Sequence, residues 1–138
     1  MMFKVGSVFI PVTDLEYAAK WYQKHFHLRL IEHFEGGAGF YFPDSTVQLG
    51  LIKTESPQDP HFIDHLGQKN SSFNFVANDI AAVHADFTNE GIEVSPVSDF
   101  GGMKFFDCQD PDGNILSIVE EVPGSPYHSD EIKKLQKK

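Results

Sequence analysis

The chain repeats itself, and that constrains its fold more than any other feature. With Asp14 set over Asp79, Thr13-Asp14-Leu15 lies on Asn78-Asp79-Ile80, Tyr22 on Phe87 and Ser7 on Ser72. The ends of the two halves also match, "PDSTVQLGL" over "PDGNILSIV". Two copies of about fifty residues are too few for a solenoid, which needs about three repeats. The natural product is a pseudo-twofold pair, each half holding one amphipathic helix and a small sheet with a second face left to cover.

Local patterns fill in each half. "VGSVFIPV" is β-branched and apolar and reads as a strand from Val5 to Val12. Thr13 or Asp14 can cap a helix, and Thr13 with Glu16 has capping-box spacing. Leu15, Ala18, Ala19, Tyr22 and Phe26 recur at helical spacing to about His25. "LRLIEHF", "GFYF" and "TVQLGLI" read as three further strands, separated by Gly36-Gly37 and a "PDS" turn. The polar, Pro-bearing stretch 54–69 reads as a linker, in which Asp59-Pro60 could open a helical turn that Gly67 closes.

The order then recurs. "SSFNFVA" is a strand, "NDIAAVHADFTNEG" a helix capped by Asn78 or Asp79 and stopped by Gly91, and "IEVSPV", "MKFFDC" and "ILSIVEEV" are strands. "DFGG" and "DPDGN" are turns, the latter with Pro111 fixing φ and Gly113 free to take φ > 0. Ser129 can cap a short terminal helix with acid at its start and base at its end. The division expected is one domain over 1–122 (module one 3–53, linker 54–69, module two 70–122), with a tail over 123–138.

Charge and cysteine usage narrow the function classes. A formal charge of −9 with no basic stripe disfavours nucleic acid. The lone Cys108 allows no intrachain disulfide, which suits a reducing compartment. "MMFKVGSVFIPVTD" has no signal-peptide h-region, and no apolar run approaches the about 18 residues of a membrane span. A cytoplasmic location is the expectation.

"VFIPVTDLEYAAKWY", the Gly-rich bend and "DPDGNILSIVEE" together resemble the vicinal-oxygen-chelate (VOC) superfamily, the glyoxalase I, bleomycin-resistance and extradiol-dioxygenase relatives. The resemblance covers roughly Val5 to Glu121. It implies an α+β fold of two tandem βαβββ modules (the glyoxalase/bleomycin-resistance/dihydroxybiphenyl-dioxygenase fold), with sheets curled into an open cleft and helices on their outer faces. Strand alternation agrees: Val8, Ile10 and Val12 would meet the first helix, and Ser7 and Phe9 the cleft. In the second half, Phe73, Phe75 and Ala77 would be helix-side, and Ser72, Asn74 and Val76 cleft-side.

The chain departs from the superfamily at its chemistry. The resemblance implies metal ligands on the first and last strand of each module, usually His, Gln or Glu. The corresponding residues are Ser7, Gln48, Ser72 and Ser117, with Gln48 placed to within one or two residues. Serine hydroxyls are poor ligands for a divalent ion, and one amide oxygen cannot hold Zn²⁺, Fe²⁺ or Ni²⁺ alone. The expectation is therefore no metal and no cofactor. The cleft floor would be polar but uncharged, able to hydrogen-bond a ligand or ordered water. The expected ligand-binding residues are Ser7, Phe9, Gln48, Ser72, Asn74 and Ser117.

Other constellations carry less. His61 and His65 in "HFIDH" could share a metal if helical, but they lack an obvious third ligand. His84 reads as solvent-facing and Cys108 as a packed, inert thiol. There is no G-x-S-x-G elbow and no phosphate-cradling Gly loop. Among the 13 Phe, those at 9, 40, 42, 100, 105 and 106 sit on or beside strands, enough for an aromatic-walled pocket. The resemblance then implies a small-molecule binder like the drug-sequestering branch, working as a homodimer. The alternative is a metal-dependent lyase, isomerase or dioxygenase of the same superfamily.

Overall fold

The structure is a computed structural model that describes residues 2–138. The chain divides into two compact units, residues 1–70 with 110–114, and residues 71–109 with 115–138.

In the first unit, β1 (Ser7–Val12), α1 (Leu15–Phe26), β2 (Arg29–Phe34), β3 (Gly37–Tyr41) and β4 (Gln48–Lys53) follow one another. The sheet order is β1-β4-β3-β2, with β1 parallel to β4 and the rest antiparallel. Alternation places Ile10, Val12, Ala38, Phe40, Leu49 and Leu51 on one face, all buried with Ala18, Ala19 and Tyr22 of α1. Asp14 caps α1, its carboxylate accepting from the Tyr17 amide at 3.0 Å. The capping-box expectation for Thr13 is corrected: its hydroxyl donates to Asp112 instead. The stretch 54–69 holds no helical turn. Asp64 accepts from the amides of Leu66 and Gln68 and from the Asn70 side chain, closing a hairpin of β5 (Phe62–Ile63) and β6 (Lys69–Asn70).

The second unit holds β7 (Asn74–Val76), α2 (Ile80–Asn89), β8 (Ser98–Asp99), β9 (Met103–Gln109), β10 (Ile115–Glu121) and α3 (Ser129–Gln136). Its sheet order, β7-β10-β9-β8, repeats the first, again with the outer strand parallel to the last. Phe75, Ile80, Phe87, Phe106, Cys108, Leu116 and Ile118 form its core. Asp79 is the cap of α2, accepting from Ala82.

Several predicted strands are shorter than their sequence patterns, β1 starting at Ser7 rather than Val5, and two of them markedly so. β7 begins only at Asn74, and before it the Ser71 hydroxyl donates to the Ile115 carbonyl at 2.7 Å. "IEVSPV" makes only a single bridge, Val94 to Cys108, since Pro96 cannot donate to a ladder. At the C-terminus, His128 rather than Ser129 caps α3, and Ser129 donates to Glu121. Among the described residues no helix is long and apolar enough to cross a membrane.

Candidate functional site

Each sheet has one face covered by its helix and one face open. Pairing register identifies the open-face residues. In the first unit three rows cross the sheet from β1 to β2: Ser7, Gln48, Tyr41, Arg29; then Phe9, Gly50, Gly39, Glu32; then Pro11, Ile52, Gly37, Phe34. Ser7 and Gln48 are direct cross-strand partners. Phe9 is 60% exposed, Phe34 45% and Tyr41 38%. Large apolar groups left on one open face are the informative kind of exposure.

In the second unit Asn74 and Ser117 are direct partners on the open face, followed by Asp107 across from Ser117. Ser72 precedes β7 and is exposed. Phe105 shares this face, with the Phe100 ring edge-on to it at 5.0 Å. The other strand phenylalanines divide differently: Phe40 and Phe106 are buried against the helices.

Register also narrows the placement of Gln48, which the sequence alone locates to within one or two residues. The repeat offset that sets Asp14 over Asp79 sets Phe9 over Asn74. Phe9 pairs with Gly50 and Asn74 with Ser117. The first unit's counterpart of Ser117 is therefore Gly50, and Gln48 stands two residues earlier on the same face. The turns differ in length, which hid this in the hairpin alignment.

The expectation of an uncharged floor is corrected as well. Asp107 stands on the open face of the second unit, where the Ser117 hydroxyl donates to it at 2.6 Å. Its backbone amide donates to the Ser95 hydroxyl at 2.8 Å. Glu32 stands on the open face of the first unit. Asp107 was hidden in the sequence because "MKFFDC" offers no period that separates its two faces.

The histidines do not assemble. His61 and His65 flank an extended hairpin strand rather than a helical turn, and the His61 ring pairs with Asp59. That hydrogen bond, with the His61 amide and then Lys69 behind it, holds the Asp59 carboxyl below its ordinary range. His84 turns inward, its Nε2 2.9 Å from the Ser95 carbonyl and its ring edge-on to Phe106. His84 is thus half-buried rather than simply solvent-facing. Cys108 is buried, as a packed thiol would be. Among the described residues, no three His, Cys, Asp or Glu side chains are grouped so as to hold a metal ion.

Two depressions lie within single units. One of about 900 Å³ runs along α1, with Asp14, Glu16, Lys20, Gln23, His33 and Lys53 in its wall. Its charges are largely spent locally, Asp14 as a cap and Glu16 on Lys20 at 3.4 Å. The other, about 230 Å³, lies beside Asp107 with Ser95, Glu93 and Gln109.

The "DPDGN" segment is a clasp, with Asp110 and Asn114 buried, rather than a reactive group. Asp110, buried in the first unit, accepts from the Tyr22 hydroxyl at 2.6 Å, the Asn114 side chain at 2.8 Å, and the amides of Asp112 and Asn114 at 2.9 Å each. Asn114 also donates to the Pro11 carbonyl at 2.9 Å, and Asp112 receives both the amide and the hydroxyl of Thr13. The turn requires Gly113 at φ 82°. These bonds fix the end of β1, and with it the strand that carries Ser7 and Phe9.

Comparison with known proteins bears on this architecture. The family model of the Glyoxalase/Bleomycin resistance protein/Dioxygenase superfamily matches residues 4–118. No curated protein matches. Among solved structures, lactoylglutathione lyase from Agrobacterium tumefaciens is 20% identical with a TM-score of 0.65, covering 90% of this chain and 96% of its own. TnmS3, an antibiotic binding protein from Streptomyces sp. CB03234, is 17% identical with a TM-score of 0.70, covering 88% and 98%. A superfamily member from Sphaerobacter thermophilus DSM 20745 is 21% identical, also at 0.70, covering 87% and 98%. At such identities these likenesses speak for the fold alone.

Proposed function

From a chain that belongs to the Glyoxalase/Bleomycin resistance protein/Dioxygenase superfamily, we infer a protein that binds a small organic molecule and does so without a divalent metal. The observation that carries this reading is the makeup of the open sheet faces. The first unit offers Ser7, Gln48 and Gly50 at or next to the positions the superfamily uses for ligands, and the second offers Ser117 and Asn74. A divalent ion in an oxygen and nitrogen site needs carboxylates or imidazoles to replace its water. Asp107 is the single carboxylate beside Ser117, and its Oδ1 already accepts the serine hydroxyl. This donor set does not fit the ion, so no chemistry is routed through one.

What remains suits binding. Ligand sites are mostly apolar with a few placed polar groups, and here exposed Phe9, Phe34 and Tyr41 flank Ser7 and Gln48. The antibiotic-binding structural relative supports this reading by analogy. A homodimer in the cytoplasm belongs to the same proposal, and neither nucleic acid nor membrane is a partner.

Metal analysis of freshly purified protein tests the metal-free part, with less than about 0.1 ion per chain expected for affinities that a lone carboxylate can supply. Stoichiometric Zn, Ni, Fe or Mn would overturn it in favour of a metal-dependent lyase, isomerase or dioxygenase. A thermal-shift screen of drugs and aromatic metabolites tests the binding part, since a ligand that prefers the native state raises its melting temperature. Light scattering reads the dimer.

A further inference from the structure

We propose that the open face of the first sheet contains a seat for one flat aromatic ring bearing a positive charge, floored by Gly39. The proposal rests on the small-molecule reading above and names its ligand class.

Three glycines, Gly37, Gly39 and Gly50, occupy the middle of this face. Glycine inside a strand weakens it and often marks a place where something approaches the backbone closely. At two of the three, that something is a side chain of this unit. A Cβ on Gly50 would lie 2.7 Å from the Phe9 ring, and one on Gly37 would lie 2.5 Å from the Phe34 ring. Phe9 and Phe34 therefore lie down on the sheet over their glycine neighbours. At Gly39 a Cβ would meet nothing within 4 Å. The bare backbone there is the one glycine floor on this face that no side chain fills.

The surroundings of that floor define what fits. Gly50, under the Phe9 ring, is its partner on one side, and Glu32 is its partner on the other. Neighbouring strands run about 4.8 Å apart, and next-but-one residues on a strand lie about 6.8 Å apart. Along β3, Gly37 under the Phe34 ring and the exposed Tyr41 stand two residues to either side. A ring set on Gly39 would lie on peptide groups, with aromatic groups on three sides and a carboxylate on the fourth. Aromatic edges and faces favour another ring. The carboxylate favours a cationic or strongly hydrogen-bond-donating substituent, and the overall charge of −9 attracts the same class from a distance. Arg29 is the other charge on this face and stands a row away, paired with Tyr41.

The seat can be filled without disturbing the fold. Gly39 has no left-handed φ, and its Cβ direction is open, so Gly39→Val suits both the strand and the space. The test measures fluorescence anisotropy with proflavine, a planar tricyclic cation, on wild type, Gly39→Val and Glu32→Gln, with uncharged phenazine and non-planar tetraethylammonium as comparisons. Circular dichroism melting verifies that both variants fold.

Wild type should bind proflavine well above tetraethylammonium. Gly39→Val should weaken proflavine and phenazine by roughly tenfold or more, and Glu32→Gln should weaken proflavine alone. Equal proflavine affinity in wild type and Gly39→Val would overturn the seat. Loss in Gly39→Val with no effect of Glu32→Gln would overturn its preference for cations. If no flat aromatic binds but other small molecules raise the melting temperature, the inference falls and the binding reading stands. If no compound of any class raises it, both fall.

Discussion

At the scale of single residues, Tyr22 shows how a side chain chosen for packing can also fix the site. Its ring is fully buried in the first unit, and its hydroxyl donates to the buried Asp110 carboxylate. Removing that donor leaves the ring in place and strips a charge-assisted bond from a buried carboxylate. Tyr22→Phe is expected to cost about 1.5–3 kcal/mol, read as a lower urea midpoint at unchanged slope; a change below about 0.5 kcal/mol would show that Asp110 is held by its other donors alone. Much of this scale was legible in advance. Local chemistry narrowed each helix cap to two neighbours, Thr13 or Asp14 and Asn78 or Asp79, of which the second is the cap in both, and it also pointed to the left-handed turn at Gly113. The partner of Tyr22 was not legible, because 88 residues separate it from Asp110 and no local rule links them.

At the scale of elements, the β5–β6 hairpin is the segment that the sequence described least well. A Pro-bearing polar stretch reads as a linker, yet one carboxylate organises it. Asp64 takes the amides of Gln68 and Leu66 and the side chain of Asn70. The Gln68 amide, followed by the Asn70 side chain, holds its carboxyl below the ordinary range. A carboxyl depressed in the folded state stabilises above its unfolded pKa, and that stability is lost as pH falls through the folded value. The hairpin should therefore survive mild acid and open only below the usual carboxylate range, seen as collapse of the Leu66 and Gln68 amide shifts in an NMR titration. Asp64→Ala should show the collapsed shifts at neutral pH; native shifts in that variant would refute the role given to Asp64. Elsewhere the strands were legible from alternation and their ends were not. Side-chain bonds that no local rule foretells, such as Ser71 to Ile115, lie at those ends. The open-face glycines were seen only as turn and strand markers, since what lies over a glycine depends on cross-strand register.

At the scale of the whole molecule, the repeat was the most legible feature, and it was also incomplete as a guide. Sequence divides the chain near residue 70, whereas residues 110–114 group with the first unit. A fragment of residues 1–70 would contain the residues of its sheet and helix but lose the hydrogen bonds that residues 110–114 make to the Tyr22 hydroxyl, Thr13 and the Pro11 carbonyl. Such a fragment is expected to give a poorly dispersed NMR spectrum and no cooperative melt, and mixing with residues 71–138 should restore both; a sharp melt from the fragment alone would contradict this. Hairpin tips are ordinarily where proteins tolerate inserted sequence. Here the tip between β9 and β10 holds Asp110 and Asn114, which are both buried. Splicing an epitope or a reporter peptide into it should unravel the opposite end of the gene product, so an engineer seeking a permissive graft point should avoid the one bend that most looks like one.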